Sequence, residues 1–397
     1  MGAARFRVLD SCRGLCAVAV MLFHMDARTH FYALPLIRNS WVAVDFFFVL
    51  SGFVIASAYS RRLRTAMDAG RFALRRFGRL YPLHLAVLLV YVGIELGRLT
   101  ILRADDAFSG NRSISALFEN LFLLQGFTPD HETWNYPAWS ISVELWTNFA
   151  FALLAVLFLR RLIVCAVVIV VAAGAFVAVG DQLALPISSV EVAVLLDAMR
   201  SIFGFFLGFI AFSLYDAIRS KGWKPFPAAE LLAVGIVAYV FDAADVLPGI
   251  IPPLAFSVVV FLFAFETGPI SGLLRRPASV KLGTISYSIY LTHSVYLLMM
   301  EGAVYALARH FGLPASVTMG GGDLLVLGGP WVMDGAALLC VSAAIFGSAL
   351  TYRYIEEPAR LLSNRLSDDL ARRSAPTKGG TASAAPILPA ILPFGPM

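Results

Sequence analysis

The first apolar stretch of the chain, LDSCRGLCAVAVMLFH at residues 9–24, carries an arginine and a histidine, Arg13 and His24. Ionisable groups inside a membrane span are costly and usually face protein or a water-filled cavity. The two are 11 positions apart. On a helix that is about three turns, so both project from one face, roughly 16 Å apart along the axis. Such a pair cannot hold one small group together, but it can touch two ends of a long one. A neutral histidine at that depth can accept a proton from a hydroxyl. The plainer alternative is an interfacial arginine anchor and a histidine satisfied by an interhelical hydrogen bond.

Four further places could carry chemistry. In RFALRRFGRLYPLHL, Arg76 and Arg79 are i, i+3 neighbours and Arg75 and Arg79 are i, i+4. Pro82 suits a first helical turn, which predicts these arginines just before or at a helix N-terminus. Guanidinium groups there make an anion site, fitting a phosphorylated ligand, or else a plain positive-inside anchor. Asp45 in VAVDFFFVLSGFVIA and Glu144 in NYPAWSISVELW are carboxylates within apolar segments. Glu144 needs a partner, and a histidine elsewhere in the bundle is one option. Trp139 fits the interfacial aromatic belt. His293 in SYSIYLTH is either a packing residue or an accessory to the chemistry. The chain lacks GxSxG, P-loop and HExxH motifs, so a serine nucleophile has no support. Cys12, Cys16, Cys165 and Cys340 form no CxxC and point to neither metal nor disulfides.

These residues must be positioned by a membrane bundle. Of 397 residues 59% are hydrophobic and 14% charged, with a mean hydropathy of +0.78. Soluble domains carry about 25% charged residues. The sequence predicts an all-α polytopic membrane protein of about ten transmembrane helices, at 9–25, 41–59, 81–99, 139–159, 162–179, 194–214, 228–246, 251–267, 283–301 and 333–354. The net charge of +5 does not point to nucleic acid, because the basic residues sit between apolar spans. With the N-terminus inside, 24 of the 31 lysines and arginines fall on the inner side, six on the outer, and Arg200 stays within the sixth span. That split predicts cytoplasmic N- and C-termini. Residues 1–365 form the membrane domain and 366–397 a disordered cytoplasmic tail, polar and then rich in Ala, Ser, Thr, Gly and Pro. Residues 100–138 include an apolar piece too short to span twice, and 306–332 are Gly-rich and read as irregular.

In their order along the chain, these stretches resemble the acyltransferase-3 family of bacterial membrane acyltransferases. LDSCRGLCAVAVMLFH resembles its opening arginine, ten residues, histidine motif. VDFFFVLSGFVIA resembles its second-span signature, RRFGRLYP its RxxR motif and WSISVELW its WSLSVE-type motif. LGTISYSIYLTH and YIEEPAR resemble its late-span and terminal motifs. The similarity covers about residues 5–365. Cys12 departs where glycine is common, and Thr292 where an aromatic often precedes the histidine.

The resemblance implies transfer of an acyl group, most often acetyl, from cytoplasmic acyl-CoA to a hydroxyl of a sugar, glycolipid or surface polysaccharide. It places a multi-pass enzyme in the cell (inner) membrane, with no tightly bound cofactor and acyl-CoA as donor substrate. In that scheme Arg76 and Arg79 hold donor phosphates with help from Arg13. His24 is general base or transient acyl carrier, and Glu144 and Asp45 orient it or the acceptor. His293 and Trp139 are accessory. No fused extracytoplasmic domain is expected, so the enzyme completes transfer alone or hands the acyl group to a separate extracytoplasmic partner. The rival class is a transporter or flippase of a glycolipid or small solute, which ten spans with polar residues at depth would fit equally.

Overall fold

The structure, a computed structural model, describes residues 5–128, 133–182, 190–319 and 322–374. It is about 76% helical. The helices are α1 (Arg7–Phe23), α2 (Pro35–Arg38), α3 (Ala43–Tyr59), α4 (Ala66–Thr100), α5 (Ile114–Leu121), α6 (Ala138–Leu157), α7 (Leu162–Gln182) and α8 (Val190–Arg219). They continue with α9 (Ala229–Asp242), α10 (Ile251–Phe263), α11 (Pro269–Leu274), α12 (Pro277–Thr284), α13 (Ser286–Phe311), α14 (Pro330–Thr351) and α15 (Glu357–Ser374). Each of the ten expected stretches is helical. Among the described residues seven helical runs are long and apolar enough to cross a membrane by length and composition, including Ser40–Tyr59, Ala66–Thr100 and Ser286–Phe311. Helices α1, α9 and α10 have 17, 14 and 13 residues, short of the ~20 that cross the hydrocarbon core. The chain is an all-α membrane protein.

Three expectations are corrected. The RxxR arginines do not lie at a helix N-terminus. Helix α4 starts at Ala66 behind a capping box, in which the Thr65 side chain accepts from Asp68 N and Asp68 reaches back to Thr65 N. The helix runs through Pro82, which has no N–H and leaves the Gly78 carbonyl without its helical partner. Capping by Thr65 and Asp68 outweighs the proline signal, so Arg76 and Arg79 stand mid-helix. The Gly-rich stretch is not irregular throughout. It holds an antiparallel hairpin of β1 (Ser316–Met319) and β2 (Gly322–Leu325), with Val317 opposite Leu324 and Leu325 bridged to Ala27. The tail boundary at 366 falls inside α15, which reaches Ser374, and 375–397 lie outside the described residues. The apolar piece of 100–138 forms the short helix α5.

Two close approaches shape the bundle. Helices α3 and α8 share an extensive contact built on Gly52 and Gly208. A Cβ on Gly52 would overlap the Phe205 carbonyl, and one on Gly208 the Val49 carbonyl. Small residues allow this where apolar side chains gain nothing over lipid. In α4, a Cβ on Gly78 would overlap the Ser363 side chain, so the glycine inside RRFGR lets α15 lie against α4. Helix α1 packs on α12 and α13, and its Arg13 and His24 ends both meet α13.

Candidate active site

Two clefts meet at Arg76 and Arg79. The first has about 760 Å³ of empty space and is lined by Tyr59, Arg75, Arg76, Arg79, Arg360, Asn364 and Asp368. The second, about 750 Å³, is lined by Arg13, Arg76, Arg79 and Glu144 at its charged part. Elsewhere it is mainly apolar, with Val44, Phe47, Phe48, Leu50, Val54 and Ile55 of α3, interrupted by Ser51, Ser140 and Ser286. Helix α4 supplies the shared arginines, because i, i+3 spacing puts Arg76 and Arg79 on one face.

At the first cleft Arg75 donates to Ser367 Oγ at 2.9 Å and pairs with Asp368. Arg360 forks onto Glu357 at 2.7 and 2.6 Å. Deeper in, the buried Arg76 pairs with Glu144 at 2.8 Å, and Ser51 Oγ donates to the same carboxylate oxygen at 2.8 Å. Arg76 Nε is buried with no partner among the described residues. Arg13 donates to Ser286 Oγ at 2.7 Å and to the Gly283 carbonyl at 2.9 Å, and lies 3.5 Å from Asp10. A π-helical segment, Tyr352–Glu356, joins α14 to α15 and buries Glu356, which accepts from Ser288 Oγ at 2.7 Å. Such bulges recur at functional sites.

Tyr290 of α13 separates this chamber from the histidines. Its hydroxyl meets Ser140 Oγ at 2.7 Å and donates to the Pro137 carbonyl at 3.2 Å. Its ring lies 5.4 Å from Phe47 and 5.9 Å from His293. Beyond it His24, the C-cap of α1, and His293 are stacked with centroids 5.2 Å apart and planes at 24°. Tyr136 edges both rings, at 4.8 and 5.9 Å.

The structure thus gathers Arg13, Arg76, Arg79 and Glu144 at one chamber, and His24 with His293 beyond it. Glu144 takes an arginine where a histidine was one option. Asp45 stands apart from both groups. It is buried and pairs with Arg200 at 2.9 Å, whose guanidinium lies 5.0 Å above the Trp41 ring. Trp139 is partly buried and packs with Val44, Phe48, Val143 and Ala198, while its neighbours Ser140 and Ile141 line the chamber. Sequence reasoning did not single out Tyr136, Tyr290, Arg360 or Glu356. Arg200 was recoverable, because a lone arginine left inside a span needs an intramembrane counter-charge. Among the described residues no group of three or more His, Cys, Asp or Glu could hold a metal ion.

A bundle of membrane-length helices around an interior cleft, basic at one end and histidine-bearing beyond its wall, defines a multi-pass membrane protein with an internal polar site. The chain belongs to the acyltransferase-3 family, whose profile, an acyltransferase domain, matches residues 6–352. It is similar to acyltransferase MdmB of Streptomyces mycarofaciens, 27% identical over 379 residues, 88% of this chain and 89% of the relative. It is also similar to protein 2 in the picA locus of Rhizobium radiobacter, 34% identical over 161 residues, 37% of this chain and 81% of that protein. No solved structure matches the chain significantly. Membership makes this protein an acyltransferase and sets the transporter alternative aside.

Proposed function

We propose that this enzyme moves an acyl group, acetyl in the simplest case, from cytoplasmic acyl-CoA to a hydroxyl of a sugar, glycolipid or surface polysaccharide at the cell membrane. The observation that carries the proposal is the pair of clefts sharing Arg76 and Arg79, guanidinium-rich outside and apolar within. That gradient suits a donor with a phosphorylated head and a long, weakly polar arm. Arg75, Arg79 and Arg360 meet the phosphates, where forked guanidinium groups bind best. The arm follows the apolar wall of α3, and the thioester approaches His24 past Tyr290. The acceptor oxygen attacks the thioester carbonyl carbon as His24 Nε2 takes the hydroxyl proton. The C–S bond then breaks, and its electron pair leaves on sulfur, which receives that proton to become the CoA thiol. Arg13 carries positive charge along the arm's path.

The test uses membranes holding the full chain, acetyl-labelled acetyl-CoA and a panel of saccharides. The wild type should acetylate at least one acceptor, and His24→Ala, expressed and inserted normally, should lose about 10²-fold or more. Normal transfer by His24→Ala would overturn the assignment.

A further inference from the structure

The two stacked histidines carry more information than one general base requires. His24 Nδ1 lies 2.9 Å from the Val20 carbonyl, and His293 Nδ1 lies 2.6 Å from the Tyr290 carbonyl. A carbonyl oxygen only accepts, so each Nδ1 bears the hydrogen. In the neutral rings both Nε2 atoms are therefore bare acceptors. His293 Nε2 is buried and meets no donor among the described residues, and no hydrogen bond to His24 Nε2 is found among them. A buried acceptor left without a donor destabilises the fold and calls for an explanation.

We propose that the acceptor is a vicinal diol, in which His24 deprotonates one hydroxyl while His293 accepts a hydrogen bond from its neighbour. The inference rests on the acyl-transfer reading and narrows its substrate. Two acceptors on near-parallel rings 5.2 Å apart ask for two donors side by side. Adjacent hydroxyls of a sugar ring supply them without charge. A cationic ligand fits less well, because Arg13, Arg76 and Arg79 line the neighbouring chamber with Glu144 as its one carboxylate. A metal ion would need further ligands, and no third His, Cys, Asp or Glu joins the pair among the described residues. Tyr136, edging both rings, gives the C–H face of a sugar an apolar wall.

The roles differ. His24 receives a proton, whereas the hydroxyl on His293 keeps its own. The product is a monoester beside a free hydroxyl. Once esterified, that pair has lost one of its two donors, so a second acylation is disfavoured to the same extent as a monool.

The experiment compares kcat/KM for methyl 4,6-O-benzylidene glycosides, whose free hydroxyls are the 2,3-diol, with their 2-O-methyl and 3-O-methyl monools, using the full chain in membranes and labelled acetyl-CoA. The wild type should favour the diol about tenfold or more, the effect of one buried hydrogen bond. In His293→Asn the side-chain amide still donates to the Tyr290 carbonyl but nothing replaces Nε2. The preference for the diol over the monools should fall below about twofold. His293→Gln, whose amide oxygen reaches towards the Nε2 position, should restore part of it. Equal wild-type use of diol and monools, a reading that needs no variant, would overturn this inference alone. So would an undiminished preference in His293→Asn. Absence of transfer from acetyl-CoA to every glycoside would defeat the acyl-transfer reading itself, and this inference with it.

Discussion

The Arg76–Glu144 pair sets up a double-mutant cycle whose outcome follows from burial and charge count. The two side chains are 10% and 21% exposed and meet at 2.8 Å. Removing one partner of a buried pair costs about 3–5 kcal/mol, because the other charge is left without compensation. Replacing both by apolar groups of similar volume is often close to neutral. The two single losses should not be equal. Arg76→Leu leaves Glu144 with the Ser51 hydroxyl and with Arg13 and Arg79 on the same chamber. Glu144→Leu takes the ion-pair partner from Arg76, whose Nε is already without one among the described residues, while Arg13 keeps Asp10 at 3.5 Å. Glu144→Leu should therefore lie near the upper end of that range and Arg76→Leu near or below the lower end, since residual exposure screens Glu144. The double variant Arg76→Leu with Glu144→Leu should recover at least about 2 kcal/mol relative to the sum of the singles. Glu144→Gln, which keeps an acceptor but no charge, should cost about 1–2 kcal/mol. Reversible unfolding of the full chain in mixed micelles measures all four free energies. Additivity of the singles to within about 0.5 kcal/mol would refute the pairing as a coupled element, and equal single losses would refute the charge count.

Gly52→Ala should destabilise the bundle by about 1–3 kcal/mol by forcing α3 away from α8, seen in the same unfolding assay; an unchanged midpoint would mean the helices do not pack through this glycine. Arg79→Lys keeps the charge but loses the fork, so the KM for acetyl-CoA should rise about tenfold with little change in kcat; an unchanged KM would exclude Arg79 from donor binding.

Elements of high hydropathy were legible in the sequence, because each apolar run has to satisfy its own backbone hydrogen bonds and folds as a helix. The shared face of Arg13 and His24 was legible too, since 3.6-residue periodicity puts both towards α13, at Ser286 and His293. What was not legible depended on local competition or on tertiary partners. Pro82 suggested a helix start, but the Thr65–Asp68 box placed it 16 residues earlier. Asp45 looked like a candidate orienting group, and only the position of α8 shows that Arg200 occupies it. Glu144 demanded a partner without saying which, because helix order in a bundle decides whether an arginine or a histidine comes within reach. His293 met His24 through the α1–α13 contact, which no spacing within either motif reports.

The continuity of α4 bears on how the proposed donor would be received. Its 35 residues extend about 52 Å, against a hydrocarbon layer of about 30 Å. Arg71, Arg75, Arg76 and Arg79 consequently ride on a stiff rod rather than a loop, braced by α15 through Gly78 and by the Arg71 contact with the Ser367 carbonyl at 3.0 Å. Backbone torsions there are already fixed before any ligand arrives. Ordering a flexible segment costs about 1–2 kcal/mol per residue, and a mouth built on a helix avoids that loss. The free energy that a flexible mouth would lose to its own ordering is then available to hold the proposed donor.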